Sequence, residues 1–544
     1  MPIADGLNVD LGGTDTAHHV GQVHSYTVGD LLEKQARNNP EKTAIVAEDD
    51  TALTYSELDE RANRLANALR DRGLDRGSSI AVISENRAEY AEVLFAAAKF
   101  GAMVPTINWR QAREELLHCL SIARPDVVVV SDEQYEKVDW IDDSDDLTPD
   151  IVALDGSDEA LDYDSLVASG ATGPPEPTTP VAREDALAIL YTSGTTGLPK
   201  GAVLSHDTLL YRALAWHVTG DVGPDFVGWG PMFHMISTEP LLTVTLLGGT
   251  FYMVDGFKTE LVLERHRQAD TGYFLFIPGV VDRILEYAAE NDIETAAYES
   301  LEKIGALADL VDPDKIKRLT ELFDAEYLNT FGSTEVGFPP LSNDTIPIGT
   351  RPGTEDLSKS EGPLCKVKLI DEDWNEVPDG EYGEMAVSGP TVFSGYIGNA
   401  EANDSEFEAG WFRTGDMFVR NEDGTYDFID RRKYLIKSGG ENIYPAELER
   451  VLLDHEAITE AVVVRVPDQE WGEVPKAYIS KGGDSEPSSE DVLDHMDGRI
   501  ARYKLPHYIE FVDQEEFPRS TSGKVVRGSV EEWSVSDDER VRSP

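Results

Sequence analysis

The string YTSGTTGLPKG, residues 191–201, sets five hydroxyls, three glycines and one lysine in eleven positions. Glycines let a backbone come close to a ligand, and successive N–H groups in such a loop form a concave anion site. The hydroxyls of Thr192, Ser193, Thr195 and Thr196 add donors, and Lys200 adds a mobile positive charge. That combination suits a polyphosphate better than an ordinary Gly/Ser/Thr surface loop. It is not a Walker loop, which requires GxxxxGK[ST], because Gly194 and Gly197 here precede LPKG.

The flanks predict how the loop is held. The apolar run ALAIL (186–190) reads as a buried strand, and SHDTLLYRALAWHV (205–218) reads as a helix with Leu209, Leu210, Ala213 and Trp216 at helical spacing. From about residue 26 to 132 helices and strands alternate, SIAVIS and DVVVVS being strands and AEYAEVLFAAAKFGAMVP the helix between them. A second alternating block runs to about residue 343, with strands GTFYMV and GYFLFI and a helix at PDKIKRLTELF. Such alternation predicts α/β layers with parallel sheets. Between about 350 and 428 short β-rich pieces predict a small barrel or an open sheet, and the remainder reads as a compact α/β module.

Bulk properties exclude several classes of function. The 544 residues carry 103 acidic against 47 basic side chains, a formal net charge of −56, spread along the chain and not gathered in a tail. Nucleic acid and anionic membrane surfaces are therefore excluded as partners of the whole surface. A surface acidic throughout fits a protein kept soluble where salt screens its self-repulsion, as in a halophile's cytosol. No apolar run approaches the ~18 residues of a membrane span. The first residues lack a basic start and an apolar core, and two cysteines, Cys119 and Cys365, make neither a disulfide framework nor a thiolate metal site. The expectation is a cytoplasmic protein.

Four further strings follow in order: NTFGSTEVG (329–337), GWFRTGD (410–416), DRRKYLIKSGGENIYPAELE (430–449) and PRSTSGKVVR (518–527). With the 191–201 loop they resemble the adenylate-forming superfamily of acyl-CoA synthetases, luciferases and peptide-synthetase adenylation domains, and the resemblance covers about 26–527. It implies an N-terminal AMP-binding domain over 26–431, made of two α/β subdomains (26–190 and 191–345) and a β-barrel-like subdomain (346–431). A small mobile α+β domain would span 434–535, with the hinge at Lys433, where relatives often carry aspartate.

The resemblance also assigns roles. Thr192, Ser193, Gly194, Thr195, Thr196 and Lys200 would surround the ATP phosphates, and Glu335 with Thr192 would hold Mg²⁺, a hard ion that prefers oxygen. Asn329, Thr330, Phe331, Gly332 and Thr334 would lie along the adenine and α-phosphate, with Phe331 in place of the usual tyrosine. Asp416 would accept from the ribose hydroxyls, with Arg431 and Asn442 near the nucleotide. Lys524 would reach the forming acyl-phosphate bridge and leave afterwards by domain rotation. Lys437, Ser438, Gly439 and Gly440 would line the tunnel for coenzyme A, and His234 would sit near the acyl carboxylate.

The acyl pocket departs most from the pattern. Relatives carry a GGAP-like segment where IGALADL (304–310) stands, so Ala306 and Leu307 add bulk; Trp216, Met235 and Phe338 are the other expected lining residues. Their apolar character predicts a hydrophobic acid, with a medium- to long-chain fatty acid first and an aryl acid as the alternative. No aspartate to grip an α-amine lies between 229 and 236, although Asp225 is just upstream. Free coenzyme A is the expected acceptor, since no fused carrier domain is present; a stand-alone enzyme loading a carrier protein would share every motif, and a homodimer is compatible with the chain.

Overall fold

The computed structural model describes residues 26–541 except 139–140, 142–146, 157–159, 193–197, 221–222, 292, 343–344, 440, 483–486, 520–524 and 537–538. Ser193, Gly194, Thr195, Thr196, Gly440 and Lys524 thus lie outside the described residues.

Thr192 and Lys200 end the two strands at one edge of a seven-stranded sheet. Its strands run in the order Leu161–Asp162, Asp150–Ala153, Val127–Val130, Ile80–Ile83, Val104–Thr106, Ala186–Thr192, Lys200–Ser205, and only the last pairing is antiparallel. Strands buried on both faces are apolar at every position. Accordingly Ile80, Val82, Val127 and Val129 pack into one core beneath the helices Tyr55–Asp71 and Ala88–Phe100, while Ala81, Ile83, Val128 and Val130 pack on the other side with Leu116, Cys119 and Leu120 of helix Arg113–Ala123. The start of Tyr55–Asp71 is fixed by reciprocal capping: Thr54 Oγ1 accepts from Glu57 N at 3.2 Å, and Glu57 Oε2 accepts from Thr54 N at 2.8 Å.

The expected division at 190/191 falls inside a hairpin, since Tyr191 pairs with Gly201. The strands Thr43–Val46 and Ala52–Thr54, read as part of the first subdomain, join a four-stranded sheet with Phe226–Gly228 and Phe251–Met253 of the second. Hydrophobic patterning locates a strand but not its partner, so the interleaving is decided by contacts far apart in sequence. A short parallel sheet of Tyr273–Phe274, Lys303–Ile304 and Glu326–Tyr327 completes this part.

The β-rich segment forms a five-stranded antiparallel sheet containing Lys366–Ile370, Tyr382–Ser388, Phe407–Glu408, Trp411–Arg420 and Tyr426–Arg431. The C-terminal module has its own core: Ile436, Leu448, Val463, Ala477, Val492 and Ile509 bring together its mixed sheet and the helices Pro445–Leu453 and Ser489–Met496.

Candidate active site

Thr192 and Lys200 face each other in register at the ends of their two strands. Lys200 Nζ pairs with Glu406 Oε1 at 2.7 Å and lies 4.6 Å from the centre of the Tyr396 ring. The Tyr396 hydroxyl donates to Glu335 Oε1 at 3.0 Å. Burial, together with Glu335 and Glu406, drives the Tyr396 phenol far above its ordinary pKa, so it remains the donor. Glu335 sits in the turn between strands Thr330–Ser333 and Gly337–Ser342; its N–H donates to Ser333 Oγ at 3.3 Å and its carbonyl accepts from Phe393 N at 2.8 Å. The structure therefore brings the expected phosphate-binding lysine and the expected metal carboxylate onto one tyrosine, the lysine over its ring and the carboxylate at its hydroxyl.

Asp416 and Arg431 are direct cross-strand partners, with Arg431 Nε 3.1 Å from Asp416 Oδ1. The Asp416 side chain is only 2% exposed, whereas that of Arg431 is half exposed. Among the described residues Asp416 Oδ2 has no hydrogen-bond partner. Burial pushes its carboxyl up to about 6, opposed by Arg431 and assisted by the nearby charge of Glu335. A buried acceptor with an open lone pair costs free energy until a donor arrives, which fits a pair of vicinal ribose hydroxyls. Beside it, Phe331 meets Phe418 edge-on at 5.1 Å and lies nearly parallel to Phe428 at 6.2 Å. The strand carrying Asp416 is anchored by Glu384, which accepts from Gly415 N at 3.0 Å and from Arg432 Nη1 at 2.9 Å.

Asn329 is fully buried; its Oδ1 accepts from Ala308 N at 2.9 Å and its Nδ2 donates to Leu357 O at 3.0 Å, so its amide braces the 304–310 segment. Thr330 and Thr334 are buried beside it. Leu307 adopts φ of +54°, a left-handed conformation that costs a branched residue roughly 1–2 kcal/mol. Gly305, at φ +81°, has no room for a side chain because a Cβ would lie 2.2 Å from the Tyr327 ring. Trp216, Met235, Ala306 and Phe338 all belong to one buried cluster. His234 caps helix Met235–Leu247, its Nδ1 accepting from Ile236 N at 3.3 Å. Asp225 is committed to the backbone, accepting from Thr250 N at 2.8 Å and Asp270 N at 3.0 Å, and is no candidate for an amine grip.

On the C-terminal module, Lys437 pairs with Asn442 across the hairpin of Ile436–Ser438 and Glu441–Ile443, and both side chains are exposed. Gly439 has φ +58°, and a Cβ there would lie 2.6 Å from the Trp471 ring. Lys433 is exposed, its Nζ 4.9 Å from the centre of the Tyr434 ring. Just before it, Asp430 accepts from Ala446 N at 2.8 Å and lies 3.4 Å from Arg527 Nη1. Arg527 Nη2 holds both oxygens of Glu449 at 2.7 and 2.6 Å.

Sequence reasoning missed Tyr396, Glu406 and Glu384. The only trace of Tyr396 was its position between glycines in SGYIG (394–398). For a magnesium ion the donors fit: Glu335 and Thr192 offer oxygens, and among the described residues no cluster of three or more His, Cys, Asp or Glu side chains could hold a metal alone. Mg²⁺ is commonly held by one or two carboxylates plus substrate phosphates. No helix among the described residues is long and apolar enough to cross a membrane.

Residues 32–397 match the model of the AMP-binding enzyme family, and 447–524 match that of the AMP-binding enzyme C-terminal domain. The feruloyl-CoA synthase of an Amycolatopsis species is 33% identical, over 92% of this chain and 98% of the relative. The indoleacetate–CoA ligase of Aromatoleum aromaticum is 32% identical, over 92% of this chain and 97% of its own. Among solved structures, ATP-bound MatB of Rhodopseudomonas palustris superimposes with a TM-score of 0.81 at 27% identity, over 93% of this chain and 99% of the other. The chain therefore belongs to the AMP-binding enzymes, the adenylate-forming superfamily, and is an acid–thiol ligase.

Proposed function

We propose that this enzyme activates a hydrophobic, ring-bearing carboxylic acid and passes it to coenzyme A. In the first step a carboxylate oxygen attacks the α-phosphorus of ATP and pyrophosphate leaves, giving an acyl-adenylate. In the second the thiol sulfur attacks the acyl carbon, its proton is lost to solvent or a base, and AMP leaves. The observation that carries the reading is the proximity of Lys200, Glu335 and Asp416: Tyr396 joins the cation to the candidate metal carboxylate, and the charge of Glu335 is felt by the Asp416–Arg431 pair, whose Asp416 keeps an unsatisfied oxygen. Lys200 would supply positive charge where two anions must meet, Glu335 an oxygen ligand for a cation that does the same, and Asp416 an acceptor for the nucleoside.

The chain's own residues then divide the work. Lys200 and the hydroxyls of its loop would shield the phosphates, and Thr192 and Glu335 would hold a magnesium ion, whose chemistry there would be to neutralise phosphate charge. Asp416 and Phe331 seat the nucleoside. Lys524 enters for the first step, and rotation about Lys433 brings Lys437, Ser438 and Gly439 to the thiol for the second. The expectation of a fatty acid gives way to the aryl alternative on the strength of the relatives, whose named acids, ferulate and indoleacetate, both carry rings. The test is product analysis with ATP, Mg²⁺ and coenzyme A across benzoates, cinnamates, indole acids and alkanoates. AMP, pyrophosphate and an aryl thioester in equal amounts support the reading; ADP as product overturns it, and adenylate without thioester moves the acceptor to a carrier protein.

A further inference from the structure

Lys200 and Glu406 are brought together by backbone pairing as well as by their own contact. The segment 394–397 runs alongside strand Lys200–Ser205: Ser394 N donates to Val203 O at 2.8 Å, Val203 N to Gly395 O at 3.0 Å and Ile397 N to Gly201 O at 2.9 Å. The approach is close, since a Cβ at Gly201 would lie 2.8 Å from Ile397 Cγ2. Tyr396, within this segment, is in turn pinned to the helix Ala400–Glu406. Asn403 Oδ1 accepts from Tyr396 N at 2.8 Å, and Asn403 Nδ2 donates to Tyr396 O at 2.9 Å. Asn399 caps that helix by accepting from Ala402 N at 3.0 Å. Beyond its end Phe407 packs on Phe393 and Phe412, with centroids 5.3 and 5.0 Å apart.

Glu406 therefore stands on a framework that includes the strand bearing Lys200, and the two charges meet at 2.7 Å. The Lys200 side chain is 13% exposed and that of Glu406 25%, so the pair is partly withdrawn from water. Charges in such a setting attract more strongly than a fully solvated pair. An ammonium already engaged by a carboxylate meets a phosphate at the expense of that engagement. Glu406 and a phosphate thus compete for one cation, and the free energy of the ion pair is subtracted from the affinity of any ligand that needs Lys200. When such a ligand leaves, the ammonium is not stranded without an anion, because Glu406 is held within reach.

We propose that Glu406 is a positioning residue that competes with the phosphates for Lys200, takes the ammonium back as pyrophosphate departs, and so limits pyrophosphate retention. This rests on the phosphate-binding role of Lys200 proposed above and adds the group that sets how tightly Lys200 holds its ligand. Adenosine, which carries no phosphate, is indifferent to the pair.

The test is calorimetric titration of the ATP-free enzyme with magnesium pyrophosphate and, separately, with adenosine, at one fixed KCl concentration. It compares the wild type, Glu406→Gln, Lys200→Met and the double variant, with thermal melting to confirm folding. Glu406→Gln removes the competing charge and keeps the side chain's size. Its pyrophosphate Kd is expected to fall about three- to fivefold, the upper range for a partly exposed ion pair, with the adenosine Kd unchanged. Lys200→Met is expected to raise the pyrophosphate Kd. In that background Glu406→Gln should shift it by less than about twofold, because the carboxylate acts through the lysine. A folded Glu406→Gln whose pyrophosphate Kd stays within about twofold of wild type overturns the proposal. So does a gain that persists without Lys200, which is direct repulsion of the ligand, or an equal gain for adenosine. Lys200→Met that leaves pyrophosphate binding unchanged overturns the phosphate role of Lys200 itself, and the inference with it.

Discussion

The Tyr396 hydroxyl donates to Glu335 at 3.0 Å while the face of its ring carries the Lys200 ammonium at 4.6 Å. One side chain thus spaces the lysine from the carboxylate and keeps them from collapsing into a direct ion pair. Lys200 is also held by Glu406 Oε1, at 2.7 Å.

Tyr396→Phe keeps the ring and loses the hydrogen bond to Glu335. A hydrogen bond to a charged group contributes about 1.5–3 kcal/mol, so adenylation is expected to slow about tenfold or more, with a higher Mg²⁺ requirement and a nearly unchanged melting temperature. Pyrophosphate release measured against Mg²⁺ concentration checks this. An unchanged Mg²⁺ dependence would show that Tyr396 does not position the carboxylate.

Asp416 titrates at about 6 because it is buried, against an ordinary 3.8. The folded value lies above the unfolded one, so the stability this proton contributes is fully present below pH 3.8 and is lost as pH rises through about 6. Ribose hydroxyls donate to the ionised form, so adenosine, which has no titrating phosphate, should bind more tightly as pH rises through that value and then level off. Asp416→Asn should bind adenosine weakly and without this slope. Calorimetry of both proteins between about pH 5 and 8 decides it.

Arg527 joins Asp430, before the hinge, to Glu449, after it. Burial pushes Glu449 up to about 7 despite Arg527. Arg527→Met leaves two buried carboxylates uncompensated, an effect of roughly 3–5 kcal/mol for removing one partner of such a set. The C-terminal module should then undock first, seen as faster proteolysis near residue 433 with the N-terminal domain intact. Adding Glu449→Gln to that variant should restore part of the loss; no rescue would argue against the charge as cause.

The net charge of −56 predicts a response to salt. Screening acts over about 10 Å at 0.1 M and about 3 Å at 1 M, so melting temperature and ligase activity should both rise from dilute buffer to molar KCl. Highest stability in dilute buffer would contradict a protein adapted to high salt.

What was legible in the sequence depended on contiguity. The strings around Lys200, Glu335, Asp416 and Arg431 are consecutive, so their type and order were readable; the structure sets Lys200 and Glu335 against Tyr396 and pairs Asp416 with Arg431. Tyr396 and Glu406 act across 61 and 206 residues of chain, and nothing local in the sequence marks them. The same is true of the Arg212–Glu239 pair, which a helical-periodicity reading treats as two ordinary polar positions. Strand existence was clear for Val127–Val130 and Ile80–Ile83, but the placement of Thr43–Val46 beside Phe251–Met253 depends on a tertiary contact that no local pattern encodes.

The central claim is an enzyme-bound acyl-adenylate, and acid-dependent exchange of labelled pyrophosphate into ATP tests it most directly. With Mg²⁺ and a cinnamate-type acid but no coenzyme A, exchange should appear, vanish when the acid is omitted, and be lost in Lys524→Ala. Exchange that requires coenzyme A, or label entering ATP without any acid, would contradict the account.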